Sequence, residues 1–219
     1  MCARACAASS GCWTPPRGIP WNPAAPSLPA EMAADSFADP VAGALAALRQ
    51  FHAQVDAAAG DLESRQEPPL RCGRGCADCC VDGLTVFAVE AERIRRDHAR
   101  LLAEGRPHPP GACAFLDAAG ACRIYTSRPY VCRTQGLPLR WLVDDDQAES
   151  RDICPLNRGE GRPEPDALAE ALCWTIGPWE GRLAMIQLQA LGGAFTAELP
   201  REALRDLFRA GPAGSRASG

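Results

Sequence analysis

The sequence predicts an α+β fold, with helices on both sides of a cysteine-rich centre that carries short β-hairpins. Three observations point there. Apolar residues recur at helical spacing before and after the centre. Two central stretches read as strand–turn–strand. Eight cysteines fall between Cys72 and Cys154, and four of them, Cys72, Cys76, Cys79 and Cys80, sit in RCGRGCADCC at 71–80.

The chain has 219 residues, 47% hydrophobic and 23% charged, which allows a packed domain with extensions. A formal net charge of −4 gives no electrostatic case for a nucleic-acid partner. All 23 Lys and Arg positions are arginine, which excludes Schiff-base chemistry on an internal lysine. No run of about 18 apolar residues exists to span a membrane. The N-terminal stretch has Arg4, Arg17 and several prolines but no apolar core of about 7–15 residues, so a cytoplasmic location is expected.

Residues 1–33 are rich in Pro, Ala, Ser and Gly and are expected to be a disordered tail. Cys2, Cys6 and Cys12 read as free thiols within it, and Met32 as an alternative start. Residues 34–210 are expected to form one domain with its motif core at 70–155, and 211–219 a second tail. Val41, Leu45, Leu48, His52 and Val55 mark one face of a first helix, capped by Asp39 with Pro40 in its first turn. His52 on that face reads as a half-buried, hydrogen-bonded histidine. Thr85 is expected to cap a second helix running to about Leu102. Its apolar stripe is Val86, Val89, Ile94 and Leu101, and Glu90, Glu92, Arg93, Arg95 and Arg96 form its solvated face.

In the centre, FLDAAGACRIY reads as two short strands around a turn at Gly120. LPLRWLVDDDQAESRDIC reads as a hairpin with Asp144, Asp145 and Asp146 at its tip, a solvated turn lacking the spaced oxygen ligands of a calcium loop. Residues 165 to about 191 carry Leu168, Leu172, Ile176, Leu183, Ile186 and Ala190 at helical spacing, with a break at Gly177-Pro178. A short helix runs from near Pro200 to Phe208.

The cysteines carry the chemistry. From Cys72 the spacing is C-x3-C-x2-C-C, followed by Cys113, Cys122, Cys132 and Cys154. In a reducing compartment, such a set points to a metal rather than to disulfides. Zinc takes thiolates tetrahedrally at about 2.3 Å, and ligands two to four residues apart on a turn converge at low cost in chain entropy. Gly73 and Gly75 allow that turn. Adjacent Cys79 and Cys80 diverge, so they fit one to each of two metals, or one as support for a cluster. Eight thiolates supply two zinc sites, or one four-iron cluster with four cysteines over. Cys154-Pro155 is similar to the Cys-Pro that ends a ferredoxin-type ligand run. A disulfide-stapled module is the reading if the protein is secreted. Cys173 lies in an apolar pattern and reads as a small buried hydrophobe.

A second motif, IYTSRPYVCR at 124–133, places Pro129 in a turn before Cys132. Arg128 and Arg133 there are able to donate to thiolates or carbonyls. No P-loop, nucleotide fingerprint or Ser-His-Asp set is present, and the three histidines are scattered.

With RCGRGCADCC, CAFLDAAGACRIY and RPYVCR together, residues 70 to about 155 resemble the CxxCxxCC, or YkgJ-type, cysteine-cluster family of zinc- or iron-chelating proteins. The resemblance implies a metal-binding protein of zinc or iron, with a metal ion as its partner and no established reaction. It marks Cys72, Cys76, Cys79, Cys80, Cys113, Cys122 and Cys132 as family-like positions, with Cys154 beside them. This chain has three residues between its first two cysteines where the family name has two. Flagellin lysine N-methylases carry a similar motif with an iron–sulfur cluster, so an enzyme holding a 4Fe-4S cluster is the alternative reading.

Overall fold

A computed structural model describes residues 39–73, 75–143, 148–159, 161–194 and 198–209. Cys2, Cys6, Cys12, Met32, both expected tails and the acidic tip Asp144–Asp146 lie outside the described residues. Among the described residues the fold is α+β, with five α-helices and two small sheets. No helix among them is long and apolar enough to cross a membrane.

Helix α1 spans Pro40–Ser64 and starts as its sequence dictates. The Asp39 side chain accepts a hydrogen bond from the Val41 amide (3.0 Å), and Pro40 occupies a position that needs no amide. Leu45, Leu48, His52 and Val55 are buried together with Phe51 and Leu62. They pack against helix α5, Ile176–Ala190, through Leu183 and the neighbouring Ala184 and Ile186. Phe51, Tyr130 and Trp179 form a tilted aromatic cluster, and Trp174 stacks on Trp179 with ring centroids 4.8 Å apart.

The second helix departs from expectation. Thr85 is not its cap: Thr85–Phe87 forms strand β1. Its partner is strand β5, Arg201–Ala203, antiparallel with Thr85 opposite Ala203. That partner lies 116 residues away, so no local signal announces it. A β-branched and aromatic triplet then prefers the ladder to a helix start. Helix α2 covers Ala88–Asp97 and α3 covers Ala99–Glu104, separated by His98 at φ −132°. Glu90 is not on a solvated face either, being only 4% exposed. Val86 and Ile94 join a second apolar cluster with Phe115, Ile124, Leu204 and Leu207, against which Cys80 and Cys122 pack.

The 115–125 segment makes a single bridge, Leu116 to Cys122, rather than two strands. The Asp117 carboxylate accepts from the Ala119 and Ala121 amides (2.8 Å each), and that turn takes the place of the strand ladder. The hairpin that follows is as expected: β2, Leu139–Val143, pairs antiparallel with β3, Ala148–Asp152. Its sheet gains a third strand, β4, at Trp174–Thr175, parallel to β2. Residues 165–172 form short 3-10 turns rather than a helix. Gly177-Pro178 therefore lies in the first turn of α5 instead of breaking a longer helix, a position where proline is tolerated. Cys173 is buried as expected, but in extended backbone after a 3-10 turn. The last element, Leu204–Phe208, is a 3-10 helix entered from β5.

Candidate metal centre

The segment 71–80 folds as two successive tight turns. The Cys76 amide donates to the Gly73 carbonyl (3.0 Å) and the Cys80 amide to the Ala77 carbonyl (2.8 Å). Gly75 sits at φ 88°, a conformation that suits glycine, so the spacing of Cys72 and Cys76 depends on it. The Cys113 amide donates to the Cys80 carbonyl (2.8 Å), which pins the next cysteine against the first group. Cys122 is held by its bridge to Leu116. Cys132 lies in the short helix α4, Tyr130–Arg133, with its amide on the Pro129 carbonyl (3.0 Å). Cys154 precedes the 3-10 turn Pro155–Asn157.

Cys113 is buried, and the other seven cysteines of the set are half-buried. All are free thiols. Their mutual influence sorts them. Burial pushes the Cys72 thiol up, a hydrogen bond from Asn157 pulls it down, and the charges of Cys154, Cys76 and Cys79 raise it. Burial pushes Cys132 up to about 12, with Cys113 and Cys122 adding to the rise. Burial also raises Cys113, and it raises Cys122, which feels Cys113. Cys79 and Cys80 interact directly with each other. A hydrogen bond from the Cys80 thiol lowers Cys79 to about 6, and the same bond raises Cys80, which also feels Cys113 and Cys132. A bound cation would reverse every one of these upward shifts, because a coordinating thiol is deprotonated. Among the described residues no three or more Cys, His, Asp or Glu side chains stand so as to hold a metal ion. The eight thiols are soft sulfur donors of the kind zinc and iron take.

Three residues that the sequence did not single out build the surroundings. Asn157 is buried; its Oδ1 accepts from the Arg71 amide (2.7 Å). Its Nδ2 donates to the Gly136 carbonyl (2.9 Å) and reaches the Cys72 sulfur at 3.2 Å. Such a donor stabilises a thiolate and orients it. Gly136 passes directly against Cys72: a Cβ there would stand 2.3 Å from its sulfur, and φ is 94°. Glu90 accepts from the Tyr130 amide (2.7 Å) and from His52 Nε2 (3.2 Å), so α1 and α2 together set the start of the helix carrying Cys132. No sequence signal marks Asn157 beyond its closeness to Cys154. Gly136 is one glycine among 20, and Glu90 hides in a run of charges.

His52 is fully buried, and its Nδ1 meets Arg93. Burial lowers its pKa, although Glu90 opposes the change. Arg133 donates to the Arg128 and Thr126 carbonyls (2.8 and 3.0 Å) and pairs with Asp56, so it braces the loop and not a thiol. Arg128 lies over the Tyr125 ring at 4.0 Å. Cys173 stands apart, its thiol on the Ala169 carbonyl (3.5 Å).

No curated protein and no solved structure matches the chain. One family model does match: CxxCxxCC, described as a "putative zinc- or iron-chelating domain", over residues 71–155. Residues 71–155 thus match the CxxCxxCC domain model, and all eight cysteines from Cys72 to Cys154 lie inside the match.

Proposed function

We propose that the chain is a non-catalytic metal-binding protein whose eight cysteines act as two groups of four. Cys72, Cys76, Cys79 and Cys154 form the first; Cys80, Cys113, Cys122 and Cys132 form the second. The observation that carries this reading is the pattern of influence between thiols. Cys72 responds to the other three of its group and Cys132 mainly to Cys113 and Cys122 of its own, while Cys80 responds first to Cys79 and then to Cys113 and Cys132. The adjacent pair Cys79–Cys80 then divides between the groups, one cysteine to each. Asn157 and Gly136 shape the first group, and Glu90, through Tyr130, sets the second. Bound zinc or iron would supply fixed positive charge to offset the thiolates and cross-link segments distant in sequence. The domain would span residues 34–210, in a cytoplasmic, reducing setting.

The test is metal and acid-labile sulfide content of anaerobically purified protein, alone and in two variants. The two-group reading expects about two metal ions per chain at four thiolates each, and no sulfide. Cys72→Ser with Cys76→Ser should lose about half the metal, and Cys113→Ser with Cys122→Ser the other half. Loss of all metal, or of none, from a variant whose circular dichroism is intact would sink the partition. The iron–sulfur enzyme reading uses the same cysteines but expects brown protein with iron and sulfide in near-equal amounts.

A further inference from the structure

Beside the first thiol group lies a small concavity of about 90 Å³, bounded by Pro68, Arg71, Asn157, Arg158, Gly159 and Arg162. Three of these are arginines, and among the described residues no carboxylate lines the space. That contrasts with a chain whose formal net charge is −4. The volume is too small for a drug-sized ligand and suits one compact anion.

The arginines differ in how they are committed. The Arg71 side chain has no ion-pair or hydrogen-bond partner among the described residues; only its amide is used, by Asn157. Arg158 pairs with Asp152 and donates weakly to the Ile153 carbonyl (3.4 Å). Arg162 donates to Gln66 Oε1 (2.9 Å) and to the Pro68 carbonyl, which fixes its guanidinium at the rim. Its Nε is buried and unpartnered. Three other buried side-chain nitrogens share that condition, on His98, Arg128 and Arg140. Arg162 is the one of these four residues that lines this concavity.

We infer that this concavity is an anion site for a phosphate-sized oxyanion head, held by Arg71, Arg158 and Arg162. Guanidinium forks match tetrahedral oxyanions, and the fixed Arg162 loses little freedom on binding. Asn157 links the site to the thiols, since the same side chain reaches Cys72. The site itself requires no metal, so it stands or falls separately from the two-group reading.

The head belongs either to a free ion or to the end of a larger molecule, and two probes separate these. Inorganic phosphate and phenyl phosphate are titrated by calorimetry into the protein as purified, with its metal content measured alongside. Saturable one-to-one binding that weakens with added salt is expected. Equal affinity for both probes assigns a free ion, and tighter phenyl phosphate assigns a headgroup. Arg71→Ala should weaken binding about tenfold, the scale of one charge-assisted contact, and Arg71→Glu should abolish it. Arg100→Ala, at an exposed residue paired with Glu104, should change nothing. No saturable binding of either probe, or binding that Arg71→Glu leaves intact, overturns the site.

Discussion

Between α1 and α5, Leu45, Leu48, Phe51 and Val55 pack against Leu183, with Trp174 and Trp179 stacked beside them. Between residues 71 and 80, no described residue lies in a helix or strand, and the backbone bonds there are Cys76 to Gly73 and Cys80 to Ala77. Both regions meet at one short element, α4: its Tyr130 packs with Phe51 and Trp174, while its Cys132 feels the charges of Cys113 and Cys122. The contrast separates two sources of order. Apolar burial is enough to define the helical region. The cysteine turns bury little apolar surface and have charges to offset, so their order should depend on what the sulfurs bind.

The largest effect expected from this contrast follows metal removal. A strong chelator should strip amide protection from residues 71–80, 113–133 and 154–157 while α1 and α5 stay protected. In small zinc domains metal binding is worth on the order of 10 kcal/mol of folding free energy. Unchanged circular dichroism and thermal midpoint after verified metal loss would erase the distinction between the regions.

The converse perturbation is Leu48→Ala, at a fully buried α1 position. A cavity there should cost about 2–5 kcal/mol in denaturant unfolding and leave metal content unchanged. If metal content falls with it, the two regions do not order independently.

Next in size is Gly136→Ala. The left-handed backbone costs about 1–2 kcal/mol for an L side chain, and the added methyl must displace the Cys72 sulfur. Stability should fall by at least that amount, with a further loss of affinity for the first metal as measured by competition with a chromophoric chelator. Wild-type affinity in a folded Gly136→Ala protein would contradict the placement of Cys72.

The smallest effect comes from the buried link between the regions. His52 has its pKa lowered by burial, with Glu90, Arg93 and Arg133 as its charged neighbours. The unfolded chain therefore binds this proton more readily. The stability contributed by neutral His52 is complete above about pH 6.5 and is lost as pH falls through that value, with a slope of at most about 1.4 kcal/mol per pH unit. Thermal midpoints between pH 7.5 and 5.5 should thus drop less steeply in His52→Gln than in wild type. Parallel curves would show that His52 does not titrate on unfolding.

The anatomy follows the same division. What neighbours in sequence decide was legible: Asp39 and Pro40 fix the start of α1, its 3.6-residue stripe fixes the buried face, and LPLRWLV…AESRD fixes a hairpin. Thr85 was misread because a strand 116 residues away outbids the local capping preference. The helical spacing of 165 to about 191 yields a helix only from Ile176, because β2 takes Trp174–Thr175 into its sheet.

For the site, the sequence by itself supplied the candidate donors, since all eight thiols lie inside the matched stretch of 71–155. The tertiary structure decided what surrounds them. Asn157 meets Cys72 across 85 residues, and Glu90 meets Tyr130 across 40. Such contacts leave no periodic trace in the chain, because an isolated Asn or Glu acquires its role only from the groups that folding brings against it.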